Sequence, residues 1–326
     1  MTLLLLRRLL QALGVLFVMS LLVFVGLYAI GNPLDLLVDP QASPADVARV
    51  AAALGLDQPL WVQYWRFLVG ALQGDLGHSF LHGIPALPLI LERLPATLEL
   101  ALCALAIAVL LGIPLGLWAG LKSHSFSGRS IMAGSILGFS LPTFWVGLML
   151  IMVFSVQLGW LPAGGRGPTR ELFGLEWSLL SAEGWRHILL PALNLALFKL
   201  ALVIRLTQSG TREVLQQDYI RFARAKGLAP RRIVGVHVLK NILIPVITVI
   251  GLEFGTLIAF SVVTESIFAW PGIGKLLLDS ITQLDRPVVL AYLLLIVLLY
   301  TVLSLIVDIA YAALDPRVRL AGGRAA

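Results

Sequence analysis

Ionisable side chains stand inside the long apolar runs of this sequence, and the candidates are Glu99, Lys199, Glu253, Glu265 and Asp308. A carboxylate or ammonium at the centre of a bilayer costs roughly 2.5–3.5 kcal/mol on insertion scales, so such groups turn to one another, to a bundle interior or to water. Glu99, Glu265 and Asp308 fall near the ends of their runs, where a side chain can reach the interface. Lys199 and Glu253 are deeper. Two readings of these groups stay open. They pair between helices, or Asn194, Lys199, Glu253 and Glu265 line a polar pathway suited to a solute with both an amine and a carboxylate.

His78 and His82 are four apart near Asp75 in "GDLGHSFLHG". The glycines argue against a helix holding both rings on one face, so this reads as a solvated loop, and no metal site is assigned. No G-x-x-x-x-G-K-[ST] phosphate loop is present, so ATP is not bound here by that route, and neither H-E-x-x-H nor G-x-S-x-G occurs. No catalytic or cofactor-binding residues are assigned. The single cysteine, Cys103, excludes a disulfide framework within the chain.

A basic patch has helix signals of its own. Residues 218–232 read "DYIRFARAKGLAPRR" and carry Arg221, Arg224, Lys226, Arg231 and Arg232. Asp218 can cap a helix start, Lys226 falls in the last turn, Gly227 can take the left-handed C′ conformation, and Pro230 ends any continuation. The resulting helix is about eight residues, roughly 12 Å long. Alone in water it is not stable, so it must dock. Tyr219, Ile220, Phe222, Ala223 and Ala225 supply apolar contact. The patch either lies on anionic lipid headgroups as a positive-inside loop or seats on a partner.

The elements that position these groups follow from apolarity. Of 326 residues, 59% are hydrophobic and 13% charged, against about 25% charged in soluble domains. Mean hydropathy is +0.93. Six candidate spans cover residues 9–30, 97–121, 131–158, 188–206, 242–268 and 288–313; Asn194 and Lys199 make the fourth the weakest. The first run is too long for a signal-peptide core, and no A-x-A-like site follows it, so it reads as an uncleaved membrane helix. Arg7 and Arg8, the basic even-numbered connections and the tail with Arg317, Arg319 and Arg324 place both termini in the cytoplasm by the positive-inside rule. The net charge of +6 therefore reflects topology, and no nucleic-acid partner is expected. The chain divides into residues 1–30, an outer loop over 31–96, a core over 97–313 that includes loop 207–241, and a tail over 314–326.

Within the outer loop, Ser43-Pro44 signals a helix start and Gly55 a helix end. "QPLWVQYWRFLVGALQG" then groups Trp61, Tyr64, Trp65 and Leu68 on one side, as in a helix at a membrane surface. That face covers the chain's own bundle or docks an outside partner. Gly112, Gly116 and Gly120, with Gly134 and Gly138 and with Gly251 and Gly255, have the four-residue spacing that lets membrane helices approach closely.

Several stretches, in order, resemble the permease subunits of ABC importers, in the dipeptide, oligopeptide and nickel branch. They are "LGLDQPL" at 54–60, "GDLGHS" at 74–79, "ERLPATLEL" at 92–100, "LGWLP" at 158–162, "DYIRFARAKG" at 218–227, "HVLKNILIPVIT" at 237–248, "FAWPGIGKLLLDSI" at 268–281 and "LDPRVR" at 314–319. The resemblance implies an all-α integral membrane subunit with six spans in the bacterial inner (cytoplasmic) membrane. It also implies that the 218–227 segment is the coupling helix that enters a groove on a cytoplasmic ATPase. Ala223 and Gly227 match its small positions, and Arg221, Arg224 and Lys226 its basic ones. The wider importer pattern of an acid and two alanines is replaced by Arg221, Phe222 and Ala223, as is usual in this branch.

Implied partners are a homologous second permease, two ATPase subunits that hold ATP and Mg, and an extracytoplasmic binding protein. The binding protein would dock at the outer loops around Gly74, Asp75, Gly77, Trp270, Pro271 and Gly272. Di- or oligopeptides are the first expected solutes; nickel chelates, glutathione and opine-like metallophores share the scaffold. Lys199 departs from the apolar position expected in the fourth span. An ATP-independent secondary transporter would show more paired intramembrane charges and internal repeats. An intramembrane enzyme would need a nucleophile and base at depth, and no such constellation is visible.

Overall fold

The structure, a computed structural model, describes residues 2–30, 34, 38–39, 41–172 and 174–314. The side chains of Arg7, Arg8 and Asp308, and the tail with Arg317, Arg319 and Arg324, lie outside the described residues.

Among the described residues four helices are long and apolar enough to cross a membrane: Ala86–Leu121, Ala182–Leu215, Pro245–Ile267 and Arg286–Val307. The helix Thr2–Ile30 precedes them, with Leu13–Gly26 as its described apolar stretch. Apolarity underestimates these elements, because helices run on past the grease until a cap stops them. Ala182–Leu215 begins six residues before the expected fourth span, where Ser181 Oγ accepts from Gly184 N at 2.9 Å. The fourth span, the weakest by apolarity, is one continuous helix through Asn194 and Lys199.

The expected third span is not one rod. Phe126–Ser140 and Thr143–Gln157 meet at 103°. Pro142 has no N–H to continue the first arm, and it pushes the preceding Leu141 out of the helical region, to φ −83°, ψ 136°. The second arm relaxes into a π-helix over Ile151–Gln157. The expected all-α fold also needs a small correction. Arg170–Leu172 and Leu175–Trp177 form an antiparallel hairpin with Arg170 opposite Trp177, and Gly174 supplies a positive φ of 75° at its turn.

The chain forms two compact units, Met1–Thr97 with Pro271–Thr301 and Leu98–Trp270 with Val302–Ala326. In the first, Ser43 caps Pro44–Ala53 as expected, and Gly55 follows it at φ 67°. The helix Leu60–Leu72 does not present its aromatics together. Tyr64 packs edge-on against Phe24 at 5.2 Å, and its hydroxyl meets Ser20 Oγ at 2.9 Å. Phe67 joins Phe24, Val289 and Leu290 in one apolar cluster. Trp61 and Trp65 point away, 74% and 64% exposed.

The second unit is built on the glycine stripe. A Cβ at Gly112 would lie 2.7 Å from Val203, at Gly116 2.6 Å from the Ile204 carbonyl, and at Gly120 2.6 Å from Thr211. Ala86–Leu121 and Ala182–Leu215 therefore meet backbone to backbone, as the spacing predicts. Gly251 takes the same close approach to Val307. Gly134 and Gly138 do not: a Cβ there meets nothing within 4 Å. Their helix turns that face away from the rest of the described residues. Val203, Val246 and Ile250 then join Ala182–Leu215 to Leu239–Ile267.

Candidate functional site

The basic segment folds as an eight-residue helix, Asp218–Ala225. Its start differs from expectation by one position. Gln217 is the N-cap, extended at ψ 146°, and Asp218 is the first helical residue. Asp218 pairs with Arg221 Nη1 at 3.3 Å and retains the favourable placement of an acid near the helix N-terminus. The far end closes as expected. Gly227 sits at φ 74°, its N–H donates to Arg224 O (2.9 Å), and Leu228 N–H donates to Ala223 O (3.2 Å). These are the two hydrogen bonds of a Schellman motif, which satisfies carbonyls the helix leaves open.

The helix has two faces. Ile220 and Ala223 are buried with Ile233, Val238 and Ile242, and Leu117, Leu215 and Leu228 pack on that cluster. This is the docking that so short a helix requires. Phe222 is 61% exposed on the opposite face, beside exposed Tyr219, Arg221, Arg224, Ala225 and Lys226. Lys226 Nζ stands 4.5 Å over the Phe222 ring. The expected apolar contact is therefore divided, with two residues holding the helix to its own chain and an aromatic presented outward among cations. A π-helix over Ile233–Val238 continues directly into Leu239–Ile267, so the anchored face is joined to a membrane helix.

Of the membrane-embedded polar groups, Lys199 and Glu253 are brought together. Lys199 Nζ donates to Glu253 Oε2 and, at 2.7 Å, to Thr256 Oγ1. The Glu253 side chain keeps 26% of its surface exposed, against 11% for Lys199. Asn194 is separate: its Nδ2 donates to Thr264 Oγ1 at 3.0 Å. Glu265 and Glu99 do not reach the interface as expected; both are fully buried. Ser261 Oγ donates to Glu265 at 2.8 Å. Glu99 is held by more groups. It accepts from Arg166 Nη2 (2.9 Å) and Nε (3.2 Å), from Ser178 Oγ (2.7 Å) and from Leu179 N (2.8 Å). One buried carboxylate thus fixes the connection that carries the hairpin.

Gly74 and Asp75 are exposed and Gly77 is half-buried; Asp75 Oδ1 accepts from Gly77 N at 2.8 Å. Trp270 and Gly272 do not offer the surface expected of them. Trp270 is fully buried, Gly272 is buried and Pro271 is half-buried. After Ile267 the chain takes φ 47° at Ala269, and Trp270 N–H closes onto Glu265 O at 2.8 Å, which turns the indole inward. Two further residues escaped sequence reasoning. Buried Asp285 accepts from Ser79 Oγ (2.5 Å) and Phe80 N (3.0 Å), pinning the "GDLGHS" loop to the start of the last long helix. Only the polar character of "LDRP" at 284–287 hinted at a terminus there.

Residues 112–320 match the family model described as binding-protein-dependent transport system inner membrane component, and residues 1–101 match the model of its N-terminal region. The chain belongs to this family. It is a multi-pass membrane component of a transport system. It is 43% identical to the di/tripeptide transport system permease protein DppB of Pseudomonas aeruginosa (strain UCBPP-PA14), covering 89% of this chain and 90% of that protein. It is 41% identical to the oligopeptide transport system permease protein AppB of Bacillus subtilis (strain 168), covering 96% and 98%. It is 38% identical to the glutathione transport system permease protein GsiC of Escherichia coli (strain K12), covering 96% and 97%. A crystal form of the inward-facing MetNI methionine ABC transporter shares the fold, with a TM-score of 0.54 at 16% identity, covering 70% of this chain and 97% of that one.

Proposed function

We propose that this chain is the permease subunit of an ATP-driven importer of di- or oligopeptides, with Asp218–Ala225 as its coupling helix. The observation that carries the reading is the split of that helix: Ile220 and Ala223 are locked to the chain, while Phe222 stands outward among cations. An exposed aromatic ringed by Arg and Lys has the chemistry of an interface anchor.

Thr2–Ile30 and the bent pair each count as a span, giving six, with both termini and the short helix cytoplasmic. A second permease encloses the pathway with this chain. Two ATPase subunits bind ATP and Mg; this chain catalyses nothing itself. When the ATPases close on ATP, the anchored helix moves as a unit, and the π-helical joint carries that motion into Leu239–Ile267. The spans then switch access between the two sides of the membrane. A binding protein delivers the solute to the outer loops, with Gly74 and Asp75 as exposed contacts. Peptides are the favoured solute because di/tripeptide and oligopeptide permeases stand among relatives at 41–43% identity over most of the chain. The 38% identical glutathione permease supports glutathione as the second reading.

The test is reconstitution in proteoliposomes with the second permease, the ATPases and the binding protein, followed by uptake of a labelled dipeptide. Uptake should require ATP and the binding protein, and excess unlabelled dipeptide should compete. Transport by this chain alone, driven by an ion gradient without ATP, would overturn the reading in favour of a secondary transporter.

A further inference from the structure

Lys199 lies midway along the membrane helix Ala182–Leu215, and Glu253 lies within the span Pro245–Ile267. The bonds that hold their pair fall on one carboxylate oxygen. Glu253 Oε2 accepts from Lys199 Nζ and, at 2.7 Å, from Thr256 Oγ1, whereas Oε1 accepts no hydrogen bond among the described residues. The Glu253 side chain is 26% exposed. Hydrocarbon does not solvate an open carboxylate oxygen, so this edge of the pair faces water or a polar pathway and not lipid.

A continuous run of contacts leads from the pair to a third charge. Lys199 Nζ stands 5.4 Å over the Phe198 ring. Phe198 stacks on Phe139 at 4.5 Å, and the Arg205 guanidinium lies 5.1 Å over the Phe139 ring. Both rings are partly open, 37% and 42% exposed, and Arg205 is exposed. The ring contact takes the face of the guanidinium. It neither neutralises the charge nor uses the N–H donors in the guanidinium plane. No carboxylate pairs with Arg205 among the described residues. Arg205 stands about 9 Å further along the helix axis than Lys199, and two to three extended residues span about 7–11 Å.

We propose that this strip is a transit site for the two ends of a short peptide, its ammonium on Glu253 Oε1, its carboxylate on the in-plane N–H groups of Arg205 and its side chains on Phe198 and Phe139. The inference rests on the importer reading above and deepens it, because it assigns residues that select the solute within the membrane. Lys199 is the positioning residue: it fixes Oε2 and leaves Oε1 to the peptide. A carboxylate and a guanidinium separated by two aromatic rings match a zwitterion with apolar side chains.

The experiment is ATP-dependent uptake into proteoliposomes that hold the complete transporter with its binding protein in excess. The probes are lysyl-alanine, with a net positive charge, and alanyl-glutamate, with a net negative one. Each variant's ratio of the two uptakes is divided by the wild-type ratio, so the preference of the binding protein cancels. Arg205→Gln should raise the cationic-to-anionic ratio about tenfold and Glu253→Gln should lower it about tenfold, as one charge is removed beside the peptide. Arg205→Lys should stay near the wild type. A purely structural role would slow both peptides alike; unchanged ratios would therefore overturn the assignment and leave the importer reading standing. If Glu253→Gln does not assemble with Lys199 left unpaired, Arg205→Gln, altered at an exposed side chain, decides alone. Absence of ATP-dependent uptake of either peptide by the wild type would instead overturn the importer reading, and this site with it.

Discussion

Phe222 and Ala223 are adjacent in sequence, one exposed and the other buried, which makes them a matched pair for testing the proposed ATPase coupling. The Phe222 side chain is 61% exposed. A phenylalanine buries about 200 Å² at most, so a partner groove can cover about 120 Å² more of it, and at about 25 cal/mol per Å² that is about 3 kcal/mol. Ordering costs reduce this figure, so Phe222→Ala should weaken ATPase binding by up to about a hundredfold. Because the contact of the Phe222 ring within its own chain is the exposed one with Lys226, the Tm of the purified permease should move little. Ala223 is 5% exposed within the Ile220 cluster. An acid there destabilises the permease itself, and its effect on transport would not isolate the ATPase contact. Gly227 is unsuitable for a related reason, since its φ of 74° strains any other residue. The assay titrates the ATPase subunits onto the permease pair and compares hydrolysis with uptake in proteoliposomes. A Phe222→Ala permease that binds the ATPases and couples hydrolysis as the wild type does would refute the assignment.

Other perturbations read the interior. Arg166→Ala leaves the Glu99 carboxylate buried without its cation and should cost about 3–5 kcal/mol, seen as a lowered Tm, whereas Glu99→Gln with Arg166→Gln should cost less than Arg166→Ala alone. Gly116→Ala drives a Cβ to 2.6 Å from the Ile204 carbonyl and should destabilise by about 1–3 kcal/mol; Gly134→Ala, with open space around it, should be neutral or stabilising by up to about 1 kcal/mol in the same thermal assay. Lys199→Met should lower stability by about 1–3 kcal/mol, and Lys199→Met with Glu253→Gln should recover much of that loss, a double-mutant cycle that reports the pair directly.

Local chemistry was legible in the sequence, and long-range pairing was not. Gly227 and Pro230 announce where the short helix ends because the constraint is on the residue's own backbone. The 112–116–120 spacing announces a close helix contact for the same reason, but nothing in it names Val203, Ile204 and Thr211 as the opposing surface. Gly134 and Gly138 share that spacing without a contact among the described residues, so the period alone does not separate a packed stripe from an open one. Glu99 and Arg166 are 67 residues apart, and Ser79 and Asp285 are 206 apart; each member alone reads as an ordinary polar residue near a span end. Lys199 weakens the fourth apolar run because hydropathy takes no account of Glu253, which stands beside it in the fold. Pro142 was visible, but the apolar residues on both sides concealed that the helix turns there.

That turn bears on how the subunit survives in a cell. Phe139, Leu141, Phe144 and Trp145 around the bend are exposed, and no side chain caps the first turn of the helix that starts at Thr143. Hydrocarbon supplies no hydrogen bonds, and non-helical backbone at membrane depth is tolerated only against protein or a water-filled cavity. A copy inserted without its neighbours would offer lipid a bare backbone corner. On the proposed assembly a second permease covers this corner, and the cellular lifetime of this chain should then rise and fall with synthesis of that subunit.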